Sequence, residues 1–297
     1  MNFDVEVTNV SMNYKDFEVL KDLSFSLEQG LIYGLIGRNG AGKTTLLSLL
    51  SSFMEPSSGT IKIGGEDPFE NRKIMANVSY IYETDYSYEY EKVKDYFDFS
   101  ERYRPNFDRQ YAMELATRFK LPLDKPIHKF SNGMQSALNV TLGLASRSMV
   151  TIFDEAYLSM DSPTREVFYK EVLEEQARYP RIMILSTHLV SEMEYLFDHV
   201  LVLDSGYLLI DEPYDKIISR GASITGDSSQ VDEFVKGKNQ LSTQQLGGTK
   251  SVMTYGEISE SEYNLAEKLD LEIGPVSLHE LFIHLTNKEE GDHESKR

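Results

Sequence analysis

The chain has 297 residues, room for one large domain or two ordinary ones. Hydrophobic residues at 40% and charged residues at 26% are ordinary globular usage and argue against wholesale disorder. The absence of cysteine excludes disulfides and thiolate chemistry, and a formal charge of -18 without a basic cluster argues against a nucleic-acid partner.

Taken in chain order, residues 1–10 carry Asp4 and Glu6 and lack a basic, apolar leader, so no signal peptide is expected. No window holds the roughly 18 consecutive apolar residues of a membrane span, and the chain reads as soluble and cytoplasmic. Apolar runs at 31–36, 78–82, 149–153 and 182–186 read as buried strands alternating with amphipathic helical stretches, the pattern of an α/β fold. Ser162-Pro163 predicts a helix start, with the serine as N-cap and the proline in the first turn. Asp204-Ser205-Gly206, between 200–203 and 207–210, reads as a hairpin turn.

After about Pro213 the texture changes. A Gly/Ser-rich stretch at 221–229 opens a second set of elements. The expected order is strand 222–225, helix 231–236, strands 240–245 and 251–255, a helix from Ser259, strand 271–273 and a helix from Ser277. Both late helices begin Ser-x-x-Glu, at Ser259/Glu262 and Ser277/Glu280, the pattern of a capping box. The order βαββαβ predicts a small split-βαβ, ferredoxin-like α+β domain. The charged tail from Asn287 is expected to be disordered. No internal repeat is visible.

The chemistry concentrates in the first part. Gly37-Arg38-Asn39-Gly40-Ala41-Gly42-Lys43-Thr44 matches G-x-x-x-x-G-K-[ST], between a strand and a helix expected from Thr45. Glycines let backbone amides turn inward around phosphates, and the following helix presents its positive end. Lys43 supplies a charge to the outer phosphates, and Thr44 offers a hydroxyl to Mg²⁺. Further on, the run 149–153 ends in Asp154-Glu155. Paired with the phosphate loop, Asp154 becomes the Mg²⁺-side carboxylate, and Glu155 is placed to orient or deprotonate a water. His188 ends the next strand, where α/β ligands gather, and is a candidate contact for the γ-phosphate.

These residues, with Phe130-Ser131-Asn132-Gly133-Met134-Gln135, resemble the nucleotide-binding subunit of an ATP-binding-cassette (ABC) transporter; the last run looks like the family's signature loop. The resemblance implies a P-loop NTPase core over residues 1–213, with a helical subdomain at about 84–148. An accessory or dimerisation domain would follow at 214–286, and a tail at 287–297. It implies ATP and Mg²⁺ as ligands, with Tyr14 stacking on adenine and the loop from Gly37 through Thr45 binding phosphate. Ser131 and Gly133 would contact ATP held by an opposite subunit, and Asp161 would close the D-loop. Glu83 stands where the family has its Q-loop glutamine and would join Thr44 and Asp154 near the metal. Asn132, Ala156 and Ser159 are further departures from the family pattern. Glu155 and His188, whose loss marks an inactive site, are present.

The implied reaction is ATP hydrolysis in a head-to-tail homodimer or heterodimer bound to a membrane-spanning subunit, at the inner face of the membrane. The closing segment 276–286 resembles that of ATPase subunits of bacitracin and antimicrobial-peptide exporters, some of whose relatives export phenol-soluble modulins. The apolar face of Leu278, Leu281, Phe282 and Leu285 is expected to serve subunit pairing. The tyrosine- and acid-rich run 80–103 reads either as a solvated helical face or as a dock for a basic coupling helix. Two other readings stay open, a non-transport ABC ATPase and a weakly hydrolysing ATP-binding regulator.

Overall fold

The computed structural model describes residues 2–287. Among them, one compact unit holds the chain up to His188 together with Tyr195–Asp211, and a second holds Leu189–Glu194 together with the residues from Glu212.

The first unit opens with β1 (Val5–Tyr14) and β2 (Phe17–Leu27), followed by β3 (Ile32–Ile36), α1 (Lys43–Leu50) and β4 (Ser58–Ile63). β1 pairs antiparallel with both β2 and β4, with Val5 opposite Leu27 on one side and Ile63 on the other. Val5 and Val7 are buried while Glu6 and Thr8 are exposed, the period-two pattern of a sheet with one wet face. This three-stranded sheet was not anticipated from the sequence, because its alternation is interrupted by register shifts in both ladders.

Next come α2 (Arg72–Met75), β5 (Val78–Tyr82), α3 (Val93–Tyr103), α4 (Arg109–Arg118), α5 (Asn132–Ala145), β6 (Val150–Asp154), α6 (Ser162–Arg178) and β7 (Ile182–Thr187). β8 (His199–Asp204) and β9 (Tyr207–Pro213) close the series, and α7 (Val190–Met193), which precedes β8 in the chain, belongs to the second unit. A six-stranded sheet runs β5-β6-β7-β3-β8-β9, and the ladders joining β5, β6, β7, β3 and β8 are parallel. β3, β6 and β7 are buried at every position, which is why they read as uninterrupted apolar runs. Ser205 and Gly206 both take positive φ, 48° and 85°, as a tight hairpin turn requires.

Several boundaries shift for identifiable reasons. α1 starts at Lys43, two residues before the expected Thr45, because Gly42 in the left-handed region ends the loop there. β6 includes Asp154, whose backbone stays in register with Ser186 of β7. Asp161, not Ser162, is the N-cap of α6: its carboxylate accepts the Thr164 N–H at 3.0 Å, and Ser162 becomes the first helical residue. Carboxylate and hydroxyl are comparable caps, and only the backbone geometry decides between neighbours.

The second unit continues with α8 (Tyr214–Ile218), β10 (Gly221–Asp227), α9 (Ser228–Phe234), β11 (Gln240–Leu246), β12 (Thr249–Tyr255), α10 (Glu260–Lys268), β13 (Glu272–Pro275) and α11 (Leu278–Asn287). Its strands order β11-β12-β10-β13, all antiparallel. The Gly/Ser-rich stretch is thus mostly strand: Ala222 and Ile224 bury themselves against Val231, Phe234 and Val252. The next helix begins three residues earlier than expected, because Asp227 caps it through the Ser229 N–H at 3.0 Å. Both capping serines are in place: the Ser259 N–H donates to Glu262 at 2.7 Å and the Ser277 N–H to Glu280 at 3.0 Å.

Leu278 and Leu281 are fully buried. The pairing face expected of α11 is therefore reduced to the half-buried Phe282 and Leu285 and the exposed Ile283. α11 extends to Asn287; the rest of the tail expected to be disordered, 288–297, lies outside the described residues.

Candidate nucleotide site

The parallel strands deliver the candidate residues to one edge, because the turn after each strand opens at its carboxyl end. β3 leads into the phosphate loop, β5 into Glu83, β6 into Glu155 and β7 into His188. Gly42 has φ 106°, and a Cβ there would sit 2.6 Å from the Leu20 side chain, so the loop needs glycine at this point. Arg38, Asn39, Gly40 and Thr44 are exposed, Thr45 is half-buried, and Gly37, Ala41 and Gly42 are buried.

Lys43 is nearly buried, and its ammonium donates to the Gly37 carbonyl at 2.7 Å. It also lies 3.8 Å from Glu155 Oε1. Burial pushes its pKa down, while Glu155 and Asp154 pull it back up. Glu155 has φ 52°, a left-handed conformation for a non-glycine residue at the sharp turn after β6. His188 Nδ1 is 3.0 Å from Glu155 Oε1. Lys43, Asp154, Glu155 and His188 therefore form one cluster of mutually interacting charged and titratable groups.

Glu83 is exposed and accepts a hydrogen bond from the Ser159 hydroxyl at 3.4 Å. That contact joins the turn after β5 to the turn that follows β6. Gly133 reaches the same region, since a Cβ on it would approach the Ser159 carbonyl to 3.0 Å. Ser131 is exposed and caps α5, accepting the Met134 N–H at 3.3 Å. Asp161 is exposed and committed to capping α6, which holds its carboxyl below the usual range. Tyr14 is 45% exposed, and its hydroxyl donates to the Met54 sulfur at 3.3 Å.

One contact at the site escaped the sequence reading. The Tyr80 hydroxyl donates to Asp154 Oδ2 at 3.0 Å. Nothing distinguishes Tyr80 in the sequence from the tyrosines that follow it.

The donor set suits Mg²⁺. Among the described residues no group of three or more His, Asp or Glu side chains gathers to hold a metal unaided. A buried carboxylate, Asp154, and a hydroxyl on the helix after the phosphate loop, Thr44, are donor types that suit a small hard cation whose remaining positions are filled by phosphate oxygens and water. No helix among the described residues is long and apolar enough to cross a membrane.

The ABC transporter family model matches residues 20–158. The chain is 30% identical over 224 residues to the bacitracin transport ATP-binding protein BcrA of Bacillus licheniformis, covering 74% of this chain and 73% of that one. It is 28% identical over 286 residues to the ABC transporter ATP-binding protein YtrB of Bacillus subtilis (strain 168), covering 94% and 97%. A solved structure of an ATP-binding subunit of an ABC transporter superposes with a TM-score of 0.66 at 26% identity, over 72% of this chain and 91% of that one. The chain belongs to the ATP-binding subunits of ABC transporters. Proteins of this family are ATPases that dimerise and work with membrane-spanning subunits.

Proposed function

We propose that this chain hydrolyses ATP to power a membrane transporter that exports antimicrobial or amphipathic peptides. Glu155 is the general base: it takes a proton from water as the oxygen attacks the γ-phosphorus, the bond to the β–γ bridging oxygen breaks, and ADP and phosphate result. The observation that carries this reading is the Glu155–His188 contact at 3.0 Å, formed beside the phosphate-loop lysine. His188 orients the base and reaches the γ-phosphate. Lys43 and the amides of the loop from Gly37 through Thr45 hold the outer phosphates, and Tyr14 stacks on adenine.

Mg²⁺, when bound, neutralises charge on those phosphates. Thr44 and Asp154 would hold it, and the Glu83 carboxylate, on the turn after β5, would be a further ligand. Ser131 and Gly133 serve ATP on a second subunit, either a copy or a paralogue, and Asp161 lies at that junction.

Peptide export is supported by the bacitracin-transport relative. Docking of a basic, amphipathic element of the membrane subunit is supported by Tyr88, Tyr90 and Tyr103, each at least 69% exposed amid acidic residues. On this reading the chain works at the cytoplasmic face of the membrane. The strand order and the βαββαβ sequence of residues 214–286 support a ferredoxin-like accessory domain assisting subunit pairing.

The test is reconstitution in vesicles with a candidate multi-span membrane protein, sought first among the neighbouring reading frames. ATP turnover should rise when cationic amphipathic peptides are added. Unchanged turnover across such peptides would remove the export assignment, and failure of the two proteins to associate would remove the transporter partner.

A further inference from the structure

The proposed metal-side groups, Thr44 and Asp154, lie on different elements, α1 and the end of β6. Tyr80, on β5, donates its hydroxyl to Asp154 Oδ2 at 3.0 Å. The Tyr80 ring is fixed independently of its hydroxyl, edge-on to Phe53 at 5.3 Å and 4.9 Å from Tyr82 between centroids.

Because the ring is held by packing, the hydroxyl is delivered to the carboxylate at little entropic cost. A phenol ordinarily loses its proton only at about pH 10, so the Tyr80 hydroxyl is a donor at neutral pH. A carboxylate with one oxygen so held loses rotational freedom before any cation arrives, and the other oxygen keeps its lone pairs.

We infer that Tyr80 is a positioning residue for magnesium, orienting the Asp154 carboxylate before the cation binds. The inference rests on the proposed metal role of Asp154. Outer hydrogen bonds to metal-binding side chains are typically worth 10–100-fold in metal affinity, and removing the Tyr80 hydroxyl should act through that route alone.

The experiment is titration of the full-length chain with a fluorescent ATP analogue across a series of free Mg²⁺ concentrations and in chelator. Tyr80→Phe keeps the ring and its packing. It should raise the Mg²⁺ needed for half-maximal enhancement of binding by about tenfold, with affinity in chelator and melting temperature unchanged. Tyr82→Phe should match the parent. Asp154→Asn separates the two levels of the argument. If it leaves the parent's Mg²⁺ dependence intact, the metal assignment itself fails. If it shifts that dependence while Tyr80→Phe does not, or if Tyr80→Phe weakens binding equally with and without Mg²⁺, the positioning role is overturned.

Discussion

The two large sheets of this molecule solve different problems. In the six-stranded sheet, the parallel strands β3, β6 and β7 are buried at every position and mostly apolar, and the candidate groups Asp154, Glu155 and His188 gather at or just past their carboxyl ends. The four-stranded antiparallel sheet alternates, with Ala222 and Ile224 turned into a core and Ser223 and Thr225 half-exposed, their hydroxyls within 3.1 Å of the Ser251 hydroxyl. Its polar groups are spread across a face and mostly satisfy one another. A parallel sheet concentrates function at an edge; this antiparallel one distributes stability.

The comparison breaks most readily at Glu155. Glu155→Gln should leave ATP affinity intact yet cut turnover by about 10²–10⁴-fold, measured as phosphate release by the purified chain. Equal rates would take the base assignment away from the sheet edge. Lys43→Ala follows. Removing the one buried ammonium that faces the phosphates should weaken ATP binding by roughly 10–100-fold, the weight of a charge-assisted hydrogen bond or two, read by equilibrium titration.

Packing against the parallel sheet is tight enough to test with a single methyl. A Cβ on Gly143 of α5 would lie 2.6 Å from Phe153 and 2.7 Å from Ile81. Gly143→Ala should cost about 1–3 kcal/mol by overpacking, visible in urea unfolding. Gly274→Ala in β13, where a Cβ meets open space, should cost much less.

The smallest effect lies in the second unit. The Lys238 ammonium, with the Ser259 backbone and hydroxyl, draws the Glu262 carboxyl down to about 2 from its usual 4.5. A depressed carboxyl stabilises the fold fully above its unfolded value and loses that contribution as pH falls toward about 2. The melting-temperature gap between parent and Glu262→Gln should therefore be largest near neutrality and close on acidification below about pH 4.5. A gap that stays constant down to pH 3 would count against it.

The parallel strands were legible because burial on both faces writes an unbroken apolar run, and the phosphate loop because its glycines and lysine answer to one ligand. The first antiparallel sheet was not, since the register shifts in β1 disturb its alternation. In the stretch 221–229 the expected strand 222–225 is present but longer, because pairing with β12 carries it from Gly221 to Asp227 in spite of the glycines. Asp161 and Ser162 are equivalent caps on paper. At the site, Glu155 and His188 stood out as strand-end residues, whereas Tyr80 did not. Its role depends on β5 lying beside β6, with Tyr82 in register with Asp154, and pairing between strands 72 residues apart is invisible to local pattern.

The most direct measurement is amide hydrogen exchange of the full chain with and without MgATP. Binding at the carboxyl edge of the parallel sheet should protect the amides of Gly37 through Thr45, where backbone N–H groups take up phosphate oxygens. Strands β10–β13 should exchange as before. Unchanged exchange across Gly37 through Thr45 at saturating nucleotide, with protection confined to the second unit, would contradict the account at its centre.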